Sequence, residues 1–257
     1  MSRRSRRPSP DLVAAAVTID SKSGGEAPET GPRRQLYGRS KGKALRAAQV
    51  GRMATMLPAL AIDVAALKDE PAALFSGQPE ALMLEIGFGG GEHLAAMAKL
   101  HPEIGYFGVE PFLNGVAKLL AAIEQDGLTN IRALRGDARE VLAALPDASL
   151  DRVYLLYPDP WPKRRQRKRR IVDDDFLAEV ARVLKQGCEL RFATDIDDYA
   201  GWTLARIAQQ DTLVWCAETA DDWRQPWPEW HRTRYEEKAL REGRVPGYFR
   251  FRRHALG

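Results

Sequence analysis

Four carboxylates of this chain each lie at or near the end of a run that favours a strand, where a sheet would bring them to one edge. They are Glu85, Glu110, Asp137 and Asp159. Carboxylates accept hydrogen bonds from hydroxyl, amino and ammonium groups. The four positions therefore predict a site for a small ligand that carries such donors.

A glycine-rich loop, Gly87-Phe88-Gly89-Gly90-Gly91, follows the first of these acids. Glycines let the backbone turn tightly and let a ligand approach without a Cβ in the way. A dinucleotide-binding loop would read G-x-G-x-x-G and would hold a pyrophosphate at the start of the next helix. Counted from Gly87, the sixth residue is Glu92, whose charge would repel a pyrophosphate. The loop therefore predicts a ligand without phosphates.

S-adenosylmethionine offers an ammonium group, a ribose and an adenine, and it has no phosphate. Glu85 could accept from the ammonium group, Glu110 from both ribose hydroxyls, and Asp137 from the adenine amino group. The alternative is that Glu110 and Asp137 only cap helices or face solvent. Three acids at three successive strand ends favour the cofactor site.

A proline-rich loop surrounds the fourth acid, in the sequence Tyr157-Pro158-Asp159-Pro160-Trp161-Pro162. Prolines fix the backbone and restrict the residues before them, so Asp159 is expected in a defined, non-helical conformation. Trp161 offers a flat surface on which a base drawn out of its stack could rest. This loop is predicted to form the reacting end of the site.

A basic run follows this loop directly, and seven of its eight residues from Lys163 to Arg170 are Lys or Arg. The usual explanation of a charge run is a solvated surface, but this one lies beside the predicted site and contains no acid. We therefore expect phosphate contacts to RNA from Arg164, Arg165, Arg167, Lys168, Arg169 and Arg170. The basic segment YGRSKGKALR (37–46) could also touch phosphate or be a solvated arm.

The elements that must position these residues alternate regularly from residue 81 onwards. Strand patterns occur at ALMLEIG, IGYFGVE, NIRALRGDA, DRVYLLYPDP, CELRFATD, TLVWCAE and GYFRFRR, and amphipathic helix patterns separate the first five and follow the fifth. Such alternation predicts an α/β fold with a mostly parallel seven-stranded sheet and helices on both faces. Ligands then bind beyond the carboxyl ends of the strands.

Composition sets the remaining expectations for this chain of 257 residues with a net charge of +4. Residues 1–34 are rich in Arg, Ser, Pro and Gly and are expected to form a flexible tail. There is no apolar run long enough to cross a membrane, and the N-terminus lacks the features of a signal peptide. Cys188 and Cys216 lie far apart in sequence, without metal-ligand spacing. We expect a cytoplasmic protein without a metal or a structural disulfide.

Six motifs resemble the bacterial tRNA (guanine-N7-)-methyltransferases in order and spacing, across residues 35–257. They are EIGFGGGEHL, GVEPF, GDA, YPDPWPKRRQRKRRI, ATDIDDYA and TRYEEKALREG. The resemblance implies one domain with a Rossmann-like class I S-adenosylmethionine-dependent methyltransferase fold. It also implies methyl transfer to N7 of the variable-loop guanosine, position 46, of tRNA, with no protein partner required.

The resemblance also implies roles for single residues. Cofactor ligands are expected at Glu85, Gly87, Glu110, Asp137 and Asp159, and Asp159 is expected to be the central active-site carboxylate as well. Substrate contacts are expected from Lys163, Asp195, Thr233, Arg234, Tyr235 and Glu236. One departure is Pro162, which stands where the family often has His after the Trp.

Guanine N7 has a free lone pair, so no proton must be removed before it attacks a methyl group. The predicted work of the protein is orientation, with Asp159 accepting from guanine N1 and N2 and Asp195 sharing that task. Two other classes of function stay open: a methyltransferase for another RNA or for protein, and an RNA-binding protein with a dead site. An Asn-Pro-Pro-Tyr-type loop would favour a different base atom, and it is absent. The presence of all four acids opposes a dead site.

Overall fold

The computed structural model describes residues 37–38 and 40–254 of the chain. The expected tail, residues 1–34, lies outside the described residues.

One seven-stranded sheet organises the described part of the chain. Its strands, in chain order, are β1 (Ala81–Ile86), β2 (Ile104–Val109), β3 (Ile131–Leu134), β4 (Leu150–Leu156), β5 (Leu184–Thr194), β6 (Leu213–Trp215) and β7 (Gly247–Arg253). The spatial order is β3-β2-β1-β4-β5-β7-β6. Strands β1 to β5 pair in parallel, and β7 lies antiparallel between β5 and β6. The predicted mostly parallel sheet is confirmed.

Eight α-helices connect and flank these strands within residues 40–254. They are α1 (Ala47–Leu60), α2 (Glu92–Leu100), α3 (Leu113–Asp126), α4 (Ala138–Ala144), α5 (Asp174–Val183), α6 (Asp197–Ile207), α7 (Asp221–Arg224) and α8 (Arg234–Arg241). Helices α1, α2 and α3 share one apolar cluster with the sheet, while α4, α5 and α6 share a second cluster. The sheet is therefore covered on both faces, as the alternating pattern predicts.

Local sequence explains the helix boundaries. Helix α5 begins at an Asp173 cap, whose side chain accepts from the amide of Phe176, and two further acids lie in its first turn. Helix α3 ends at Gly127, which has φ of +64°. The buried residues of α5 lie on one face; they are Phe176, Leu177, Val180, Ala181 and Val183.

Two local features differ from the sequence pattern. Helix α1 was not expected, and the chain just after it pairs with the sheet edge, where Ala61 bridges Ala133 of β3. The residues Leu184 and Lys185, which continue the helical pattern of α5, instead begin β5. Leu184 has extended backbone angles and pairs with Leu150 of β4. Tertiary pairing outweighs local helix propensity at this point.

The strand order changes direction between β1 and β4, which is where an open α/β sheet opens a crevice. Helix α3 packs tightly against the glycine-rich loop at this point. A Cβ at Gly115 of α3 would lie 2.0 Å from the carbonyl oxygen of Gly89. The absence of a side chain at Gly115 therefore sets how closely β2 and its helix approach the loop after β1.

We expect Gly115→Ala to lower the free energy of unfolding by about 1–3 kcal/mol, because the added methyl forces α3 and the loop apart. Gly201→Ala is the matched control, since no atom lies within 4 Å of its added Cβ and it lies within α6. It should raise stability by about 0.5–1 kcal/mol. Urea unfolding of both variants checks the pair, and equal effects would contradict the close approach.

Candidate active site

A cavity of about 290 Å³ opens at the carboxyl ends of β1, β2, β3 and β4. Its walls come from the loops after these strands, the basic run and the N-terminal end of the described chain. Its polar and glycine lining includes Gly38, Gly87, Glu110, Asp137, Asp159 and Arg169, and its aromatic lining includes Tyr37, Tyr157, Trp161 and Tyr235. Four of the five predicted cofactor residues therefore lie around one crevice, together with Tyr235 and the end of the basic run.

The glycine-rich loop follows the path that its sequence predicts. Gly87, Gly89 and Gly91 have φ of +70°, +59° and +78°, a region that strains other residues. The amide of Gly87 donates to the carbonyl of Val109 at 2.8 Å, so the loop is tied to β2. An added Cβ at Gly87 would meet no atom within 4 Å, which leaves that face open for a ligand.

Glu110 lines the cavity at the end of β2 and is buried. One carboxylate oxygen accepts from the amide of Gly89 at 2.6 Å, and the other accepts from the amide of Phe112 at 2.8 Å. Loss of hydration on burial raises the pKa of this carboxyl, while the two amides oppose the rise. Glu110 thus both holds the glycine-rich loop and presents a charged acceptor to the cavity.

Asp137 also lines the cavity, and it does two things at once. Its side chain accepts from the amide of Arg139 at 3.0 Å and so caps the N-terminus of α4. Asp137 therefore caps a helix, and it also borders the cavity, so capping is not its only position-dependent contact. Because each carboxylate oxygen has two lone pairs, the cap leaves acceptor capacity for a ligand in the cavity.

Glu85 is placed differently from the other three acids. Its buried carboxylate lies 2.7 Å from Nδ1 of His93 in α2, and Glu85 is not among the residues that line the cavity. His93 packs in turn against the rings of Tyr154 and Trp230. In this arrangement Glu85 links β1 to α2 from behind the glycine-rich loop.

Asp159 stands at the mouth of the cavity, and its carboxylate would contact a Cβ at Gly38 at 3.1 Å. The residue is exposed by surface area, yet the surrounding walls limit its hydration and raise the pKa of its carboxyl. The charge of Asp159 also raises the pKa of Glu110, so the two carboxylates share one electrostatic environment. A cation between them would be favoured.

The loop around Asp159 is conformationally strained. Tyr157 and Trp161 have φ of +51° and +41°, a region in which a side chain costs about 1–2 kcal/mol. The guanidinium of Arg169 lies 5.0 Å from the Trp161 ring and 4.9 Å from the Tyr37 ring. Arg169 thus joins the basic run to the aromatic wall of the cavity.

Most of the basic run forms a 3₁₀ turn at Arg164–Arg169, beside the cavity. Lys163, Arg164 and Arg165 are exposed, and Lys168 and Arg169 line the cavity. Arg167 pairs with Asp198 of α6 at 2.5 Å while keeping part of its side chain exposed. The position of these residues suits phosphate contacts around the cavity mouth.

Arg170 does not fit the expected phosphate contact. Its side chain is fully buried and donates to the carbonyl of Pro160 at 2.9 Å and to the carboxylate of Asp198. It also packs over the rings of Tyr199 and Trp202. Every charged nitrogen faces protein, so a phosphate would have to break this packing to reach it. The prediction that Arg170 contacts an RNA phosphate therefore disagrees with its burial.

Asp195 lies at the end of β5 beyond the lining of the cavity. Its carboxylate pairs with Arg244 at 2.5 Å, and Arg244 also pairs with Glu242. The predicted sharing of the base-holding task would require Asp195 to release or extend this ion pair.

The segment Thr233–Glu236 divides into inner and outer residues. Thr233 caps α8 by accepting from the amide of Glu236, whose buried carboxylate accepts from Trp230 and Tyr248 at 2.7 Å each. Tyr235 lines the cavity and lies against Gly89, and Arg234 approaches Glu92 at 3.7 Å. The two outer residues can meet a substrate directly, whereas the two inner residues hold α8 in place.

Sequence reasoning missed the covering of the cavity by the N-terminal end of the described chain. Tyr37 and Gly38 line the cavity, and two contacts attach the following residues to α3. The amide of Gly42 donates to Asn114 at 2.8 Å, and the amide of Leu113 donates to the carbonyl of Ser40 at 3.0 Å. The basic composition of this segment was the available signal, but it could not show these contacts.

The cavity fits S-adenosylmethionine because it offers hydrogen-bond acceptors and because the backbone at Gly87 is open to a ligand. Glu110, Asp137 and Asp159 supply anionic acceptors, and the apolar side chains Ile86 and Leu155 supply walls for a ring. Across residues 40–254, no cluster of His, Cys, Asp and Glu is arranged to hold a metal ion. Within the same range, no helix has the length and apolarity needed to cross a membrane.

Comparison with known proteins gives a consistent family. A family model with the description "Putative methyltransferase" matches residues 79–246. The tRNA (guanine-N(7)-)-methyltransferase of Rhodopseudomonas palustris (strain BisB5) is 51% identical over 221 residues, which are 86% of each chain. The protein of the same name from Bradyrhizobium diazoefficiens is 52% identical over 86% of this chain and 94% of its own.

Among solved structures, the 16S rRNA methyltransferase KamB covers 69% of this chain and 89% of its own, with 15% identity and a TM-score of 0.48. The fold of this chain rests instead on its own strand order and pairing.

We expect Glu110→Gln to weaken S-adenosylmethionine binding by about 1–3 kcal/mol, because a charged acceptor is lost and one amide hydrogen opposes Gly89 or Phe112. Isothermal titration against the unchanged protein measures it. Glu124→Gln is the control, since Glu124 is exposed and pairs with Arg52, outside the cavity lining. An unchanged dissociation constant in the Glu110 variant would remove this residue from the cofactor site.

Proposed function

The chain belongs to the family of tRNA (guanine-N7-)-methyltransferases, and we propose that it methylates N7 of the guanosine at position 46 in the variable loop of tRNA. The observation that carries the proposal is the position of Asp159. This carboxylate stands in one cavity with two of the predicted cofactor acids, Glu110 and Asp137, next to Trp161 and the basic turn. A base, a cofactor and a phosphate backbone can meet there.

The cofactor in this proposal is S-adenosylmethionine, which supplies an electrophilic methyl group on a sulfonium when bound. Gly87 gives it an open backbone face, and Glu110 and Asp137 accept hydrogen bonds from its ribose and adenine. Glu85, held by His93, supports the loop from behind and reaches the ammonium only through a rearrangement or a bridging group. Asp159 borders the same cavity.

The chemical step requires little from the protein beyond orientation. With the cofactor bound, its sulfonium would supply the methyl group to the N7 lone pair and would leave as the neutral sulfide, and no proton would have to leave the base. The positive charge moves from sulfur to the purine ring. Asp159 accepts hydrogen bonds from guanine N1 and N2, a pattern that adenine does not present, and its charge favours the ring cation.

The tRNA backbone is held by the outer basic residues. Lys163, Arg164, Arg165, Lys168 and Arg169 lie exposed or around the cavity mouth, and Arg167 can exchange Asp198 for a phosphate. Tyr235 and Arg234 lie against Gly89 of the glycine-rich loop. Such a set of cations gives affinity for the backbone without reading the sequence. A protein of this function works in the cytoplasm, where tRNA matures.

The direct test is methylation of a tRNA transcript by the purified chain, read by nucleoside mass spectrometry. We expect 7-methylguanosine with guanosine at position 46 and none when adenosine replaces it. Methyl transfer to another base atom would support the alternative of a different RNA methyltransferase. Binding of tRNA without cofactor binding would support an RNA-binding protein with a dead site.

Replacement of Arg164 and Arg165 by Ala should weaken tRNA binding and flatten its dependence on salt. Fewer counterions are released when phosphate contacts are lost, so the slope of log K against log salt should fall by roughly one unit per contact. Lys68→Ala is the control, because Lys68 is exposed in a turn before β1 and outside the cavity lining. An unchanged slope in the double variant would identify a solvated surface.

Replacement of Asp159 by Asn should preserve the fold and lower methyl transfer by about 10²-fold, because the amide presents a donor to guanine's hydrogens. Single-turnover methylation with saturating tRNA and cofactor measures this.

In the unchanged protein, the raised pKa of Asp159 means that protonation sets in at a higher pH than for an ordinary aspartate. Its rate should therefore fall on the acid side in that higher range.

The Asn variant provides the control for this pH dependence, since its side chain does not titrate. Its residual rate should lose the acid limb that belongs to position 159. Near-normal rates in this variant would contradict the role of Asp159 and would favour Asp195 as the base-orienting carboxylate.

A further inference from the structure

We propose that Arg170 is a positioning residue that holds the Asp159 loop in its reactive conformation through the carbonyl of Pro160, with Asp198 as its anionic partner. The proposal rests on the proposed function, because it is there that Asp159 orients the base. The contacts that support it are independent of that function. Arg170 borders the cavity, but all its guanidinium nitrogens donate to protein acceptors, so it acts through the loop.

The Asp159 loop has few means of holding its own shape. Pro158, Pro160 and Pro162 have no amide hydrogen, so three of the donors that could close a turn are missing. Tyr157 and Trp161, which flank the Asp159 turn, both have positive φ. A conformation of this cost persists where neighbouring structure restrains it. The amide of Tyr157 donates to the carbonyl of Ala193 at 2.8 Å, and the further restraint comes from side chains outside the loop.

Arg170 supplies such a restraint next to Asp159. Its Nε donates to the carbonyl oxygen of Pro160 at 2.9 Å, one residue beyond the carboxylate that faces the cavity. The side chain is 0% exposed, so water does not compete for this bond. A charged donor to a carbonyl in a dry environment is a strong hydrogen bond.

The other end of the guanidinium is fixed to α6. One terminal nitrogen donates to the carboxylate of Asp198 and the other to its main-chain carbonyl at 3.3 Å. The rings of Tyr199 and Trp202 lie 4.6 and 5.1 Å from the guanidinium. The guanidinium is thus packed in place by α6, a helix anchored in the apolar core.

The chain just after Arg170 is attached to the same helix. The indole of Trp202 donates to the carbonyl of Val172 at 2.8 Å, and the amide of Val172 lies 3.4 Å from the hydroxyl of Tyr199. The position of Arg170 is therefore fixed through both its backbone and its side chain. Arg170 therefore fixes the position of the Pro160 carbonyl, next to Asp159, relative to α6.

The geometry requires arginine rather than another cation. The planar guanidinium donates in two directions at once, towards Pro160 on one side and Asp198 on the other. A lysine ammonium at the end of its flexible stem cannot span both acceptors. Charge alone would therefore not preserve the loop, which separates this role from a phosphate contact.

The test compares Arg170→Lys and Asp198→Ala with the unchanged protein. For Arg170→Lys, we expect at least about a tenfold fall in the single-turnover rate at saturating tRNA and S-adenosylmethionine, because small displacements of a reacting group are costly. The dissociation constant for tRNA should stay within about threefold, since no phosphate contact is lost. Hydrogen exchange of a peptide covering residues 155–163 should become faster in both variants.

Asp198→Ala is the second variant, for the case that Arg170→Lys does not fold because it buries a lysine. Asp198 is partly exposed, so its replacement should leave the chain folded. It should lower the saturated rate while tRNA affinity holds or rises, since Arg167 is released to bind phosphate. Opposite directions for rate and affinity are not expected from general destabilisation.

Arg206→Lys is the matched control. Arg206 is a half-buried arginine of α6. Its guanidinium lies 3.4 Å from the centre of the Trp202 ring, and it pairs with Asp174 and does not contact Pro160. It should leave the saturated rate and the exchange of residues 155–163 unchanged. Weaker tRNA binding with a full saturated rate in Arg170→Lys would overturn the proposal in favour of a phosphate contact. Unchanged exchange of the loop would overturn it even if the protein proves to have another activity.

Discussion

Two loops meet at the carboxyl edge of the sheet, and few backbone hydrogen bonds of their own hold them in shape. The loop after β1 depends on glycines with positive φ, and the loop after β4 depends on prolines without amide hydrogens. In each case a buried charged side chain from another segment fixes the backbone: Glu110 accepts from Gly89, and Arg170 donates to Pro160. The site is built on these long-range bonds.

The same arrangement determines the charge of the cavity. Burial raises the pKa of Glu110 and of Asp159, and the charge of Asp159 raises the pKa of Glu110 further. A ligand with a positive charge would lower these pKa values, and a phosphate would raise them. The cavity is thus prepared for a cation, while the cations of the basic turn are placed at its mouth for an anionic backbone.

The sequence could predict the sheet and most of the cavity, since the alternating pattern and the strand-end acids are local signals. It could not predict that Glu85 would pair with His93, because that contact depends on how α2 packs beside β1. Nor could it separate Arg170 from Arg169, its neighbour in the same run. Both border the cavity, but the guanidinium of Arg170 is buried against α6, and only the turn of the 3₁₀ segment decides which charge is buried. Nor could it predict that Thr233 and Glu236 are buried and hold α8 in place.

Pro162 stands where the resemblance expects a histidine, and its effect can be argued from the loop itself. A third proline removes a further amide and so removes a further chance for the loop to close on itself. It also lowers the conformational entropy that the loop loses when it is fixed. The missing donor shifts the control of Asp159 from the loop to its outside support, whereas the smaller entropy loss lowers the free energy that this support must supply. In a chain with this proline, the Arg170–Asp198 pair therefore replaces a loop hydrogen bond and acts on a backbone that is already restricted.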